Sequence, residues 1–203
     1  MVGLHMSRSY DPDRRHLLLA GAVGAAGISF PTIAAGQELT PTPECRDEHD
    51  ATPRQSEGPF FKPKSPQRAD LREAATKGRV FELSGVVLTR GCRPVPGALV
   101  DLWHADESGD YDNRGFRYRG HQLADAQGRY RFRTIQPAVY PGRTRHYHVK
   151  VQAPNRVILT TQLYLPDEAE NARDGMFRRE LLMRMAAAGE GLAGRFDFVL
   201  DMR

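Results

Sequence analysis

Two histidines separated by one residue stand at the start of an alternating apolar stretch. His146 and His148 precede Val149 and Val151. In a strand, the two-residue period sends both imidazoles to one face and both valines to the other. Imidazoles paired in this way can hold one metal ion. Taken alone, such a pair is more typical of two ordinary surface histidines.

Two loop tyrosines favour a metal site over two ordinary surface histidines. Tyr140 precedes His146 by six positions, in a loop that also contains Pro141, and Tyr111 lies in a turn after Trp103. Loop tyrosines beside glycine and proline are poor core fillers, but a rigid loop can present them as phenolates. A phenolate is a hard anionic donor that suits a ferric ion, and a metal can lower a phenol pKa from about 10 to well below neutrality. Two phenolates and two imidazoles would neutralise most of the charge of one Fe3+ per chain. The candidate ligands are Tyr111, Tyr140, His146 and His148.

The other tyrosines and histidines near these motifs receive structural interpretations. Tyr130 alternates in phase with buried positions and is expected in the core, while Tyr147 faces away from the two candidate histidines. His104, His121 and His49 are interpreted as structural or surface residues rather than ligands.

Short strands must position these side chains. Apolar alternation separated by turn residues, without long intervening helices, indicates an all-β fold with an antiparallel β-sandwich core. One short C-terminal helix is expected over 174–188, because Met176, Leu181, Leu182 and Met185 have helical spacing. The predicted strands are 80–88, 98–103, 128–135, 147–153, 157–165 and 196–202.

The chain divides into three parts by composition. Residues 36–78 contain six prolines and few apolar residues, which predicts an N-terminal arm or linker. Residues 79–203 carry the strand pattern and form the expected β-sandwich domain. Residues 1–35 form a leader.

The leader resembles a twin-arginine export signal. Arg14 and Arg15 precede an apolar run that reaches about Ile33 and is followed by two alanines. A single membrane anchor is the alternative, but glycines and Pro31 interrupt the run, which is shorter than the about 20 residues that a spanning helix needs. We therefore expect a periplasmic or secreted protein without stable membrane insertion after cleavage.

Cys45 and Cys92 are the only cysteines. An exported chain meets an oxidising compartment, in which an even pair tends to close, so a disulfide is expected. Two unrelated buried thiols are the alternative.

The charge balance argues against a nucleic-acid partner. The sequence has 29 Lys and Arg against 25 Asp and Glu, with no basic run longer than two. So small a surplus gives no basic groove for nucleic acid. The oligomeric state stays open.

Several segments together resemble the intradiol ring-cleavage dioxygenases. Their order along the chain is the same as in that family, and they extend from about Ser56 to Leu165. The segments are SEGPFF (56–61), LVDLWHAD (99–106), GDY (109–111), DAQGRYRFRTIQP (125–137), YP (140–141), HYH (146–148) and TTQLY (160–164).

The resemblance assigns a role to each candidate residue. Tyr111 and Tyr140 match the two tyrosinate ligands of ferric iron in the family. His146 and His148 match its two histidine ligands. In the same way, Arg143 matches an arginine placed over the substrate ring, and Gln162 matches a glutamine of the same pocket.

The reaction that the resemblance implies is cleavage of a catechol-type ring between its two hydroxyls by O2, giving a muconate-type diacid. The catechol would bind iron as a dianion, with Tyr140 leaving the metal and accepting a proton. Arg143 would stabilise charge developing on the ring.

Two departures leave the substrate open. Only five residues separate Tyr140 from His146, fewer than in many members that cleave protocatechuate, and Thr144-Arg145 replaces a common Pro-Ala pair. From the resemblance, we also expect this protein to differ from the catechol-specific branch in having no helical N-terminal dimerisation domain. We expect a smaller pocket wall from this loop.

Two other classes of function remain as alternatives. A non-catalytic exported β-sandwich binding module would make the histidines and tyrosines incidental, since such folds host many functions. A zinc hydrolase built on His-x-His would need a carboxylate or a third histidine as a further ligand.

Overall fold

Short strands build two β-sheets in the computed structural model, which describes residues 50–73, 76–189 and 191–203. One sheet has the order β4-β1-β8-β7, with β9 also paired to β1, and the other has the order β3-β2-β5-β6. Within the described residues, the strands are β1 (Val80–Thr89), β2 (Leu99–Trp103), β3 (Arg119–Leu123), β4 (Arg129–Ile135), β5 (His146–Gln152), β6 (Leu159–Tyr164), β7 (Arg184–Ala188), β8 (Gly191–Arg195) and β9 (Phe198–Leu200).

The core lies where the apolar faces of the two sheets meet. Along β4, Tyr130 and Phe132 are buried while the arginines between them are exposed. Phe81 of β1 meets Tyr147 of β5 with ring centroids 5.0 Å apart, and all four aromatic residues belong to one buried cluster. The predicted β-sandwich is confirmed, as are the core position of Tyr130 and the direction of Tyr147, which faces away from the two candidate histidines and into the core.

The first sheet is mixed, so the expectation of an antiparallel core is wrong for that sheet. β1 pairs antiparallel with β4 but parallel with both β8 and β9. β8 pairs with the first half of β1, and β9 pairs with its last three residues. Between β8 and β9, the Asp197 carboxylate accepts a hydrogen bond from the Val86 amide at 2.9 Å. Strand direction here depends on this long-range pairing, which local alternation does not encode. The second sheet is antiparallel throughout.

The predicted helix at 174–188 is also wrong. This segment contains a 3-10 helix at Arg179–Leu181 and then β7, and a second 3-10 helix, Ala169–Ala172, precedes it. Leu181 is buried, and the Met183 amide donates to the Tyr164 carbonyl at 3.0 Å, which draws the chain onto β6. β7 then pairs with β8. Sheet pairing and burial override the local helical spacing.

The described part of the arm crosses the second sheet on the face opposite the core. At one edge the Gln55 amide donates to the Thr160 carbonyl of β6 at 2.8 Å. At the other edge the His121 amide of β3 donates to the Pro66 carbonyl at 3.0 Å. Between these points Phe61 packs on Trp103 of β2, with centroids 5.0 Å apart. The arm therefore forms a roof over the sheet that carries the candidate histidines.

Some sequence expectations fall wholly or partly outside the described residues. These are the leader at 1–35, His49, Cys45 and hence the Cys45–Cys92 bridge, which stays a prediction. The division between the arm at 36–78 and the domain at 79–203 likewise stays a prediction. In the described ranges, no helix has the length and apolar character required to cross a membrane.

Candidate active site

Strand register places His148 at the centre of the candidate site. His148 of β5 lies opposite Trp103 of β2 and opposite Gln162 of β6. Directly opposed residues share a face of the sheet, so these three side chains lie together on the face beneath the arm. Trp103 stacks on the His148 ring at a centroid distance of 5.0 Å. An ideal Cβ on Gly58 of the arm would lie 3.3 Å from Cε1 of that ring, so the roof is in contact with it.

Hydrogen bonding fixes the tautomer of His146. Its Nδ1 lies 2.6 Å from the Thr144 carbonyl, which can only accept, so Nδ1 carries the proton. The lone pair of Nε2 then points toward Nε2 of His148, 3.1 Å away. Burial lowers the pKa of His146 to about 4 and that of His148 well below its usual value. Both imidazoles are therefore neutral near pH 7, the form in which histidine binds metal.

Tyr111 is presented by a turn that one carboxylate organises. The Asp106 side chain accepts the amides of Ser108 at 2.8 Å and Asp110 at 3.0 Å. Tyr111 follows this turn and stacks on Phe60 of the arm with centroids 4.4 Å apart. The turn and the roof together fix the direction of the phenol.

Tyr140 begins a tight turn that ends at Arg143. The Arg143 amide donates to the Tyr140 carbonyl at 3.0 Å, Pro141 occupies the second position, and Gly142 has φ +80°. These are the requirements of a type II turn. The turn brings Arg143 back toward the Tyr140 ring, and its Nη1 lies 3.3 Å from the Tyr140 hydroxyl.

The two tyrosine loops touch because one position lacks a side chain. Gly109 has φ +92°, and a Cβ there would lie 2.8 Å from the Val139 carbonyl. A methyl group would therefore push the Tyr111 turn away from the Tyr140 loop. Gly109 belongs to the GDY segment of the resemblance, but the sequence did not indicate that it lets the two loops pack together.

All four candidate ligands converge beneath the arm. Ring centroids are 5.9 Å apart for Tyr111 and Tyr140, 5.6 Å for Tyr140 and His146, and 6.0 Å for Tyr111 and His148. The Tyr111 hydroxyl is buried without a hydrogen-bond partner in the described part of the chain. Burial, with the neighbouring Tyr140, raises the pKa of Tyr111. An unsatisfied buried hydroxyl is costly, so this oxygen suits a cation that would bind it as phenolate.

The donor set is specific in its chemistry. Among the residues that the structure describes, no group of three or more His, Cys, Asp or Glu side chains could hold a metal ion. Any metal at the two histidines therefore depends on the tyrosines. Two phenolates with two imidazoles fit a hard ferric ion, whereas a zinc hydrolase would need a further carboxylate or histidine.

A cleft of about 400 Å³ opens beside Tyr140 and Arg143. Its size suits a molecule with one aromatic ring. The Arg143 guanidinium donates to Gln162 Oε1 through Nη2 at 2.5 Å and to Asp174 through Nε at 2.9 Å. The structure thus brings together both pocket residues that the sequence singled out. The cleft is lined by Val139, Tyr140, Pro141, Gly142, Arg143, Glu170, Arg173 and Asp174.

The other two histidines in the described ranges have structural partners. His104 bonds Thr134 Oγ1 at 2.6 Å and the Ala105 carbonyl at 2.7 Å. His121 lies 3.0 Å from Ser65 Oγ. Neither ring belongs to the ligand group, as expected.

Three residues at the site were not identified from the sequence. Phe60 lies in the SEGPFF segment (56–61) but received no role from the sequence, yet it stacks on Tyr111. Arg119 is buried, donates to the Phe60 carbonyl at 2.6 Å and lies 6.0 Å from the centroid of the Tyr111 ring. Asp174 binds Arg143 from a segment predicted to be helical. No local pattern marks any of the three, because their roles depend on long-range contacts.

Comparison with known proteins shows the family. A family model described as Dioxygenase matches residues 56–202. The chain therefore belongs to the intradiol ring-cleavage dioxygenase family, whose solved members share its β-sandwich.

One solved structure and two sequence relatives show how similar this chain is to known proteins. The dioxygenase domain of a dioxygenase carbohydrate-binding protein fusion from Streptomyces sp. SirexAA-E is 52% identical, with a TM-score of 0.74, over 76% of this chain and 100% of that chain. The protocatechuate 3,4-dioxygenase beta chain of Burkholderia cepacia is 30% identical over 66% of this chain and 72% of its own length. Hydroxyquinol 1,2-dioxygenase of Nocardioides simplex is 30% identical over 79% of this chain, which spans 59% of that relative.

Proposed function

We propose that this protein is a non-haem iron(III) dioxygenase that cleaves catechol-type rings between the two hydroxyls with O2, giving muconate-type diacids. The observation that carries the proposal is the convergence of Tyr111, Tyr140, His146 and His148 beneath the arm, beside a cleft that contains Arg143.

The four convergent side chains would hold the metal. Their oxygens and neutral imidazole nitrogens match the preferences of ferric iron, and the unsatisfied Tyr111 hydroxyl supports this choice. When bound, iron would supply Lewis acidity that favours the catechol dianion and makes the ring the reactive partner.

Tyr140 is the candidate proton acceptor. Tyr140 belongs to the ligand group and also lines the cleft, and Arg143 Nη1 lies 3.3 Å from its hydroxyl. A Tyr140 phenolate could take a proton from a catechol hydroxyl, since the two oxygens would be neighbours in the cleft. The Arg143 cation would then stabilise negative charge that develops on the ring.

The arm would exclude water from the reaction. Phe60 covers Tyr111, and Gly58 touches His148. Gln162 reaches the arm as well, because its Nε2 donates to the Ser56 carbonyl at 2.9 Å. A dry site strengthens the electrostatic contribution of Arg143.

The cleft and the relatives support a catechol-type substrate. Relatives are named for protocatechuate, hydroxyquinol and catechol, all single-ring vicinal diols. A cleft of about 400 Å³ is compatible with that class. The Arg14-Arg15 leader supports a site of action in the periplasm or outside the cell.

A screen of catechols tests this proposal. Iron-loaded protein is expected to be coloured through its tyrosinates and to take up O2 with at least one catechol. Zinc-loaded protein serves as the control and is expected to be colourless and inactive. An active zinc form, or absence of O2 uptake across the panel, would contradict the proposal and favour a hydrolase or a binding module.

A further inference from the structure

Asp174 is a buried carboxylate beside the cleft, with a side chain only 1% exposed. It accepts the Arg143 Nε–H at 2.9 Å, the Thr144 amide at 3.0 Å and the Met176 amide at 2.8 Å. Burial alone would raise the pKa of Asp174, but these hydrogen bonds hold it below its usual value. The side chain is therefore a fixed anion with three donors.

The carboxylate controls the plane of the Arg143 guanidinium. The Asp174 carboxylate accepts a hydrogen bond from Arg143 Nε, and Gln162 Oε1 accepts one from Arg143 Nη2. A guanidinium is a rigid planar fork, so fixing two of its nitrogens fixes the third. The position of Nη1, 3.3 Å from the Tyr140 hydroxyl, follows from this arrangement.

The same carboxylate oxygen also accepts a hydrogen bond from the backbone two residues before His146. Oδ2 of Asp174 accepts both the Arg143 side chain and the Thr144 amide. The Thr144 carbonyl in turn accepts from Nδ1 of His146 at 2.6 Å. Asp174 is thus joined to the cleft through Arg143 and to the candidate ligands through Thr144.

We propose that Asp174 is a positioning residue, which acts through Arg143 by holding its guanidinium over the substrate cleft. The inference rests on the proposed function, because the consequence of misplacing Arg143 is a slower ring cleavage. Asp174 also lines the cleft, but its proposed effect on turnover depends on Arg143 rather than on direct contact with the substrate.

Asp174→Asn is the direct test. An amide keeps the size of the carboxylate but loses its charge. Its NH2 group must face either the Arg143 and Thr144 donors or the Met176 donor, and two donors that face each other cannot form a hydrogen bond. We expect kcat to fall about 10- to 100-fold, with a smaller change in KM, since displacing a catalytic group by about 1 Å costs this much. Iron content and tyrosinate colour are expected to stay at wild-type levels.

Glu168→Gln is the matched control. It removes the ion pair between Arg145 Nε and Glu168, which are 3.2 Å apart. This pair joins the chain after Arg143 to the chain before Asp174, but Arg143 is not part of it. We expect it to retain wild-type kcat and KM. A loss as large as that of Asp174→Asn would overturn the inference, because any disturbance of these segments would then suffice.

Combination with Arg143→Lys separates positioning from general support of the fold. If Asp174 acts through Arg143, adding Asp174→Asn to Arg143→Lys lowers kcat by no more than about twofold further. Multiplication of the two single effects would overturn the inference. Should Asp174→Asn fail to fold, Asp174→Glu replaces it, since it keeps the charge but shifts the carboxylate by one methylene; wild-type kcat in that variant would also count against positioning.

Crystal structures of the variants distinguish this inference from the proposed function. Arg143 is expected to leave Gln162 in Asp174→Asn and to keep that contact in Glu168→Gln. Inactive wild-type protein would defeat the proposed function and with it the catalytic consequence of Asp174. Active wild-type protein with an unmoved Arg143 in Asp174→Asn would overturn the positioning role alone.

Discussion

The Nε2 atoms of His146 and His148 lie 3.1 Å apart, buried beneath the arm. With Nδ1 of His146 committed to the Thr144 carbonyl, its Nε2 has only a lone pair to offer in this gap. The two rings are close enough to share one metal ion. This relationship follows from strand period and from one local hydrogen bond.

Replacing His148 with alanine is expected to abolish iron binding and visible colour. The change removes one of two nitrogen donors, and among the described residues no group of three or more His, Cys, Asp or Glu side chains could hold the metal instead. Metal analysis and the visible spectrum of purified protein measure the effect. His121→Gln, which alters a histidine on β3 bonded to Ser65, should keep one iron per chain. Stoichiometric iron in His148→Ala would exclude this residue as a ligand.

Tyr140→Phe is expected to reduce turnover far more than iron content. The hydroxyl is proposed both to bind metal and to accept the substrate proton, and general-base catalysis contributes about 100- to 10,000-fold. Three other donors remain for the metal, so the colour should shift rather than vanish. Tyr118→Phe removes a hydroxyl bonded to Glu107 instead and is the control. Steady-state kinetics that match in the two variants would rule out the proposed role.

Gly109→Ala is expected to destabilise the fold and to weaken iron binding together. A methyl group would meet the Val139 carbonyl at 2.8 Å, and a non-glycine residue at φ +92° is strained. Strain of this kind costs about 1–3 kcal/mol. Denaturant unfolding and iron titration measure the two effects. Gly175→Ala, at a position with no atom within 4 Å of the added methyl, should leave both unchanged.

Export is expected to require both Arg14 and Arg15. The twin-arginine route carries folded proteins, so iron could be inserted before export. The double replacement with lysine keeps the charge but should leave the precursor inside the cell. Cell fractionation followed by immunodetection gives the answer, with Arg8→Lys as the control. Normal export of the double variant would show that another route is used.

The sequence predicted β1, β2, β4, β5, β6 and β9, whose residues follow a local pattern, but it did not predict β3, β7 or β8. The two-residue period placed His146 and His148 on one face and Tyr147 in the core. Features set by contacts distant in sequence were missed. β8 and β9 pair parallel with β1 through an arrangement that Asp197 stabilises, and nothing in their own residues encodes that direction.

The segment after β6 is a second feature that depends on contacts distant in sequence, and it lies at the candidate site. Its apolar spacing indicated a helix, whereas burial of Leu181 and pairing of β7 produced 3-10 turns and a strand. Asp174 lies in this segment and reaches Arg143, 31 positions away in the sequence. A contact of that separation has no local signature, so the local pattern marked the candidate ligands but not the residue that bonds Arg143.

Product analysis under isotopically labelled O2 tests the central claim most directly. The proposed ligand group would supply two anionic phenolates, which would stabilise ferric iron, and the described residues contain no His, Asp and Glu group that could form the ferrous two-histidine, one-carboxylate site. Cleavage between the hydroxyls is therefore expected, with both labelled oxygen atoms in a muconate-type diacid by mass spectrometry. A semialdehyde from cleavage outside the diol, or a product without both labels, would contradict the assignment.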